Sequence, residues 1–155
     1  MNEQPQPDQT PVFQIEKIYL KDLSLEIPNA PQIFLEREQP NIEVQLNTAS
    51  SKISEGIYET TITVTVTSKI QDKTMFLVEA SEAGIFQIRN VPETDLDVVL
   101  GIGCPNIVFP YLREVISDLV TRAGFPPMLL APVNFEALYS QQKAQQSPII
   151  QPTTH

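Results

Sequence analysis

Residues 58–68, YETTITVTVTS, carry a period-two pattern: Tyr58, Ile62, Val64 and Val66 fall on one side, and Thr61, Thr63, Thr65 and Thr67 on the other. A period of two over this length suits a strand with one apolar face, and it excludes a helix, which repeats every ~3.6 residues. Valine, isoleucine and threonine fit the pleated surface well. The chain is thereby committed to a sheet. Three further stretches join it: NIEVQLN (residues 41–47), with Ile42, Val44 and Leu46 on one side; TMFLVEASEAGIFQI (74–88), which starts just after the turn-like QDK; and FQIEKIYLKDLSLEI (13–27), ended by Pro28. Short polar turns such as TASSKISEG separate the strands. None has the length or periodicity of a crossover helix, so the sheet is expected to be antiparallel. The proline-bounded connection PNAPQIFLEREQP (28–40) is longer, and can cross the sheet to give a Greek-key order.

Two of these strands read as apolar on both faces. In residues 74–88, Phe76, Val78, Phe86 and Ile88 oppose Met75, Leu77 and Ile85; in residues 13–27, Phe13, Ile15 and Tyr19 oppose Ile18 and Leu20. A sheet with one solvated face has no use for the second set. Either a helix covers it or a second subunit does, and a chain with so few helices favours oligomerisation.

The second half is helical. After Pro110, the residues Leu112, Val115, Ile116, Leu119, Val120 and Ala123 recur as i, i+3, i+4, i+7, i+8, a broad apolar stripe from which Arg113, Glu114, Ser117 and Asp118 face away. Gly124, followed by Pro126 and Pro127, stops this helix. A shorter helix is expected after the N-cap Asn134, with Phe135, Leu138 and Tyr139 on one side. The architecture is therefore α+β: a four-stranded antiparallel sheet, Greek-key-like, followed by a long amphipathic helix and a shorter C-terminal one. Residues 1–11 and the Gln-rich tail 140–155, polar apart from Ile149 and Ile150, read as disordered around a single domain at 12–139.

The stretch GIGCPNIVFPYLRE (101–114) holds the chain's single cysteine between two glycines and two prolines. A thiol nucleophile needs a nearby base, usually histidine, and the one histidine is His155. G-x-G followed by proline lacks the backbone N–H groups of a phosphate cradle, and no Lys-Ser/Thr comes after it. The stretch reads as an elbow: the glycines bend the chain, Pro105 and Pro110 open helices, and Cys104 is packed. One cysteine and one histidine build no zinc centre. ETDLD (93–97) lacks the glycine and spacing of a calcium loop, and sets acidic residues in the first turn of a short helix. No cofactor is implied.

Ten Lys+Arg against nineteen Asp+Glu leave a net charge of −9 over 155 residues. Phosphate backbones and anionic membranes would repel such a chain, so neither nucleic acid nor direct membrane insertion is expected, whereas basic proteins are suitable partners. No run approaches the ~18 apolar residues of a membrane span. The polar N-terminus is no signal peptide, and with one cysteine this points to a reducing compartment, the cytoplasm.

Several segments carry a family pattern: IYLKDLSLEIPNAP, NTAS, GIFQI, and above all GCPNIVFPYLREVISDLVTRAGFPPMLLAPVNFEALY. Over about Phe13 to Tyr139 the chain resembles SecB, the protein-export chaperones of proteobacteria. The resemblance implies a cytosolic, ATP-independent homotetramer, a dimer of dimers with sheets outside and helices between. It implies no enzyme activity. Such a protein holds unfolded precursor proteins in a translocation-competent state and delivers them to the SecA motor. The alternative is a SecB-like adaptor dedicated to one partner, such as an antitoxin.

The resemblance also assigns residues. Asp22, Glu26, Leu77 and Glu79 match an acidic patch on the outer sheet face that receives the basic, zinc-containing C-terminal tail of SecA. Leu77 and Glu79 share the strand parity that a single patch requires. Phe34, Val44 and Leu46, with Phe135, Leu138 and Tyr139 of the last helix, match the apolar client groove. Phe76 and Val78 have opposite parity and read as inner-face residues for packing or the subunit interface. One departure stands out: Glu38 occupies the connection where relatives carry tryptophan, and this chain has no tryptophan.

Overall fold

The computed structural model describes residues 8–146. Four strands, β1 (Val12–Glu26), β2 (Asn41–Ser54), β3 (Ile57–Ile70) and β4 (Lys73–Arg89), form one sheet in the order β1-β4-β3-β2, each neighbouring pair antiparallel. β1 and β2 are thus the two edges, and the connection between them crosses the sheet. This is the expected Greek-key order. The connection contains a short 3-10 turn, Gln32–Leu35, pinned by the buried Ile33. The hairpins differ from expectation in one place: TASSKISEG is mostly strand, and β2 runs on to Ser54 before a tight turn at Glu55 and Gly56. Serine and lysine are tolerated there because β2 is an edge strand with solvent beside it.

β1 is not apolar on both faces. Its register against β4 slips between Ile15 and Lys17 and again between Leu20 and Asp22. Each bulge inserts one residue and inverts the parity of the residues beyond it. Phe13 and Ile15, then Ile18 and Leu20, then Leu23 and Leu25 consequently all share the inner face, opposite the inner-facing residues of β4, while Tyr19, Asp22 and Glu26 face out. β4 keeps the expected parity: Phe76, Val78, Phe86 and Ile88 are buried, and Leu77 and Ile85 are only partly covered.

Helical structure begins well before the expected start at Pro110. α1 (Glu93–Val98), with Glu93 and Asp95 in its first turn, runs through a π-helical turn at Val99–Gly103 into α2 (Cys104–Arg122). Residues 101–114 are therefore not an elbow, and Pro110 lies inside the helix. Pro105 brings no N–H to the ladder, and just ahead of it the Cys104 N–H reaches five residues back, to the Val99 carbonyl. The helical span Glu93–Arg122 is 30 residues long and, by length and composition alone, passes for a membrane span. Its place is on the sheet. Cys104, Val108, Leu112, Ile116 and Val120, four apart, form one buried ridge over Ile62, Val64 and Val66 of β3 and Val78, Ala80 and Phe86 of β4. Gly124, at φ +95, ends the helix as expected. From there to Asn134 the chain has no regular structure, and α3 (Phe135–Gln146) starts from an Asn134 cap, whose Oδ1 accepts from the Ala137 N–H at 3.0 Å. α3 carries the helix past Ser140, so the segment read as tail is helical as far as Gln146. At the other end, the Asn90 side chain donates to the carbonyls of Asp8 and Thr10, which places the residues just before β1.

Candidate functional site

α2 covers β3 and β4 and leaves the inner face of both edge strands open. Along β2 this produces a groove of about 620 Å³. Ile42, Val44 and Leu46 form one wall, their alternation putting all three on the inner face opposite Ser68, Val66 and Val64. Phe109 of α2 lies at the base. The far wall is the irregular segment from Met128 to Asn134 together with Ala137 and Leu138 of α3. Among the described residues, no charged side chain lines the groove. Val44 is 46% exposed and Leu129 77%, so much apolar surface awaits a cover. Among the described residues the outer edge of β2 pairs with no further strand, and it borders the groove as a ready partner for an extended chain.

The groove continues toward an aromatic cluster through Ile42 and Met128, which also line a neighbouring 150 Å³ cavity with Phe76 and Phe125. Phe34 stacks on Phe125 at 5.1 Å between ring centres, and Phe76 lies 4.9 Å from Phe125. Of the candidate groove residues, Val44, Leu46 and Leu138 line it. Phe34 sits at its aromatic end. Phe135 is buried beneath it, edge-on to Phe109 at 5.8 Å, and Phe76 and Val78 belong to the sheet–helix core. Tyr139 points elsewhere. Its hydroxyl donates to Asp97 at 2.6 Å, Lys143 pairs with the same carboxylate at 2.5 Å, and the three border a separate 300 Å³ polar cavity with Ser50 and Gln142. These partners, Lys143 first, hold the Asp97 carboxyl below its ordinary value. The most informative groove residues, from Met128 to Val133, are not legible in the sequence because an irregular segment has no periodicity. The one signal there is the apolar run MLL held between prolines.

α3, and with it one groove wall, depends on a close approach. A Cβ on Gly101 would overlap the Tyr139 ring. Gly101→Ala is expected to lift α3 and cut hydrogen-exchange protection there on the order of tenfold, with α2 amides unchanged.

The other face of the sheet is solvated. The register pairs Glu26 with Leu77, Ser24 with Glu79 and Asp22 with Ser81, so the structure brings Asp22, Glu26, Leu77 and Glu79 together on two adjacent strands. Thr65 donates to Glu79 at 3.3 Å. Glu43 belongs to the same face, because it pairs with Thr67, which pairs with Leu77. Sequence parity alone could not find it. Among the described residues, no cluster of three His, Cys, Asp or Glu could hold a metal. Cys104 is fully buried, and burial pushes its thiol up to about 12, against a hydrogen bond with Thr60 that lowers it. It stays protonated and unreactive near neutrality.

The fold and the site define an α+β domain with an uncharged apolar groove on one sheet face and carboxylates on the other. The chain belongs to the SecB family: residues 6–146 match the family described as preprotein translocase subunit SecB. It is similar to the protein-export protein SecB of Methylobacillus flagellatus, 64% identical over 148 residues, covering 96% of this chain and 94% of that one. The SecB of Chromobacterium violaceum is 62% identical over 142 residues, covering 92% and 95%. Among solved structures, a Mycobacterium tuberculosis SecB-like chaperone, in complex with a peptide from an antitoxin, shares the fold at a TM-score of 0.66 and 18% identity, over 79% of this chain and 91% of that one. SecB is a family of protein-export chaperones, not a class of enzymes.

Proposed function

We propose that the chain holds unfolded precursor proteins in the groove along β2 and hands them to SecA, whose basic, zinc-containing tail docks on the acidic outer face. The observation that carries this is the placement of two unlike surfaces on opposite faces of one sheet. A client inserting apolar side chains between β2 and α3 leaves Asp22, Glu26, Leu77 and Glu79 free for a second partner. The client pairs backbone with the open β2 edge and buries apolar area at ~25 cal/mol per Å². Neither step calls for a nucleophile, a metal or a nucleotide. Assembly as a homotetramer is supported by Phe13, Ile15, Leu20 and Leu23, inner-face side chains of the open β1 edge that are exposed in a single chain. The cytoplasm, where precursors meet the motor, is the compartment that this role requires.

The test is refolding of a slow-folding secretory precursor diluted from denaturant without ATP. Arrest that saturates near one oligomer per client supports the reading, and normal folding across a wide excess ends it. The dedicated-adaptor reading draws on the M. tuberculosis chaperone solved with its antitoxin peptide, and arrest of one client alone would favour it. Glu79→Lys is expected to weaken binding of a peptide copied from the SecA tail on the order of tenfold and to leave client arrest unchanged. Equal binding by both forms would remove the acidic face from the scheme.

A further inference from the structure

One sequence feature finds no role in this scheme. Residues 147–155, SPIIQPTTH, contain an Ile pair between prolines and no Asp, Glu, Lys or Arg. They lie outside the described residues, and the chain reaches them from Gln146 at the end of α3. We propose that Ile149 and Ile150 occupy the apolar groove of their own chain, and that a client must displace them. The proposal rests on the reading of the groove as the client site.

Three observations point to this occupant. The first is reach. Leu138 on the groove wall lies eight helical residues before Gln146, about 12 Å at ~1.5 Å per residue. Ile149 and Ile150 come three and four residues after Gln146, which span about 10–14 Å when extended at ~3.5 Å per residue. A chain that doubles back along α3 fully extended therefore brings Ile150 level with Leu138 and Ile149 just short of it. The second is chemistry. Among the described residues the groove lining carries no charge, and neither do the side chains from Ser147 to Thr154 around the Ile pair, so docking them strands no ion in an apolar site. The exposed Val44, Ile42 and Leu129 are aliphatic surfaces of the kind that isoleucine covers. The third is conformation. Pro148 and Pro152 bias Ser147 and Gln151 toward extended backbone, the shape that an open strand edge accepts.

The energetics require little. A segment on so short a tether meets the groove at millimolar effective concentration. A contact with millimolar intrinsic affinity then fills the groove about half of the time, and tighter contact fills it more. The consequence is a filter: segments that bind no better than the Ile pair are refused, while long apolar stretches displace it.

The experiment compares the full chain with its Ile149→Ser/Ile150→Ser double variant, whose changes lie outside the described residues. Methyl resonances of Val44, Leu46 and Leu138 are recorded in both without client. Shifts confined to the groove methyls are expected. Identical spectra overturn the proposal whatever clients do. Binding of a permanently unfolded probe, reduced and carboxyamidomethylated lysozyme bearing a fluorophore, is then measured. The double variant should bind about three- to tenfold more tightly, and the free peptide SPIIQPTTH at millimolar concentration should compete for the probe. Equal affinities overturn the displacement. Shifted methyls with no probe binding by either form would instead overturn the client reading and leave the occupant in place.

Discussion

Val44→Asp is expected to weaken capture of an unfolded client at least about tenfold while the fold survives. Val44 is 46% exposed, so in the free protein the new carboxylate stays solvated and the loss of stability is held to about 1 kcal/mol. When a client arrives, the groove closes over that carboxylate, and none of the lining residues offers a cation. Stripping its water costs at least about 1.4 kcal/mol, the equivalent of a factor of ten. Gln45→Asp is the matched control, because Gln45 sits on the opposite face of the same strand, paired with Thr65. Fluorescence anisotropy with an unfolded client and a thermal melt of each variant decide the matter. Unchanged affinity in Val44→Asp, with an unchanged melting temperature, would mean that clients do not touch the β2 wall.

Glu82→Gln is expected to stabilise the protein at neutral pH and to do nothing in acid. Glu82 lies on the inner face of β4 between Leu20 of β1 and Ile62 of β3, is 5% exposed, and its Oε2 finds no hydrogen-bond partner among the described residues. Burial, and then repulsion from Glu114 of α2, push its carboxyl above the ordinary value of 4.5. The folded chain thus holds this proton more tightly than the unfolded chain does. Stability from the site is whole below pH 4.5 and is lost as pH rises through the higher folded value. A neutral amide removes the charge that must otherwise be buried and ends the repulsion from Glu114, and relief of an unpaired buried group's desolvation is worth about 1–3 kcal/mol. For a chain of this size that raises the melting temperature by about 2–10 °C. Calorimetry at pH 7.5 and pH 4, at one fixed protein concentration, would show the difference only at the higher value. A gain of the same size at both would mean that Glu82 acts through shape rather than charge.

Much of the fold is legible because period-two alternation survives in β3 and β4, where each side chain sees either α2 or solvent. β1 departs from its apparent pattern for a definite reason. Its two bulges leave no trace in composition, and each reverses the parity that simple alternation carries forward. The helix start is hidden by residues that ordinarily end helices: Gly101, Gly103 and Pro105 sit in or beside a π turn that accommodates them, and Pro110 lies within α2 itself. For the groove, the alternating β2 wall is readable directly, and the matching positions on α3 come from the family resemblance. The opposite wall is not readable, since the segment from Met128 to Val133 owes its place to tertiary packing rather than to any repeat. Tyr139 shows the same limit from the other side. Its spacing puts it next to Leu138, but Asp97 and the bare backbone at Gly101 turn it away from the groove.

Cys104 begins the ridge by which α2 grips the sheet, and it is the chain's single thiol. An alkylating reagent can reach it only when that ridge lifts. Modification by iodoacetamide therefore keeps time for the core: its rate counts how often helix and sheet part company, without any engineered label. Run beside a client, the same clock would tell whether loading the chaperone loosens its framework or only fills its rim.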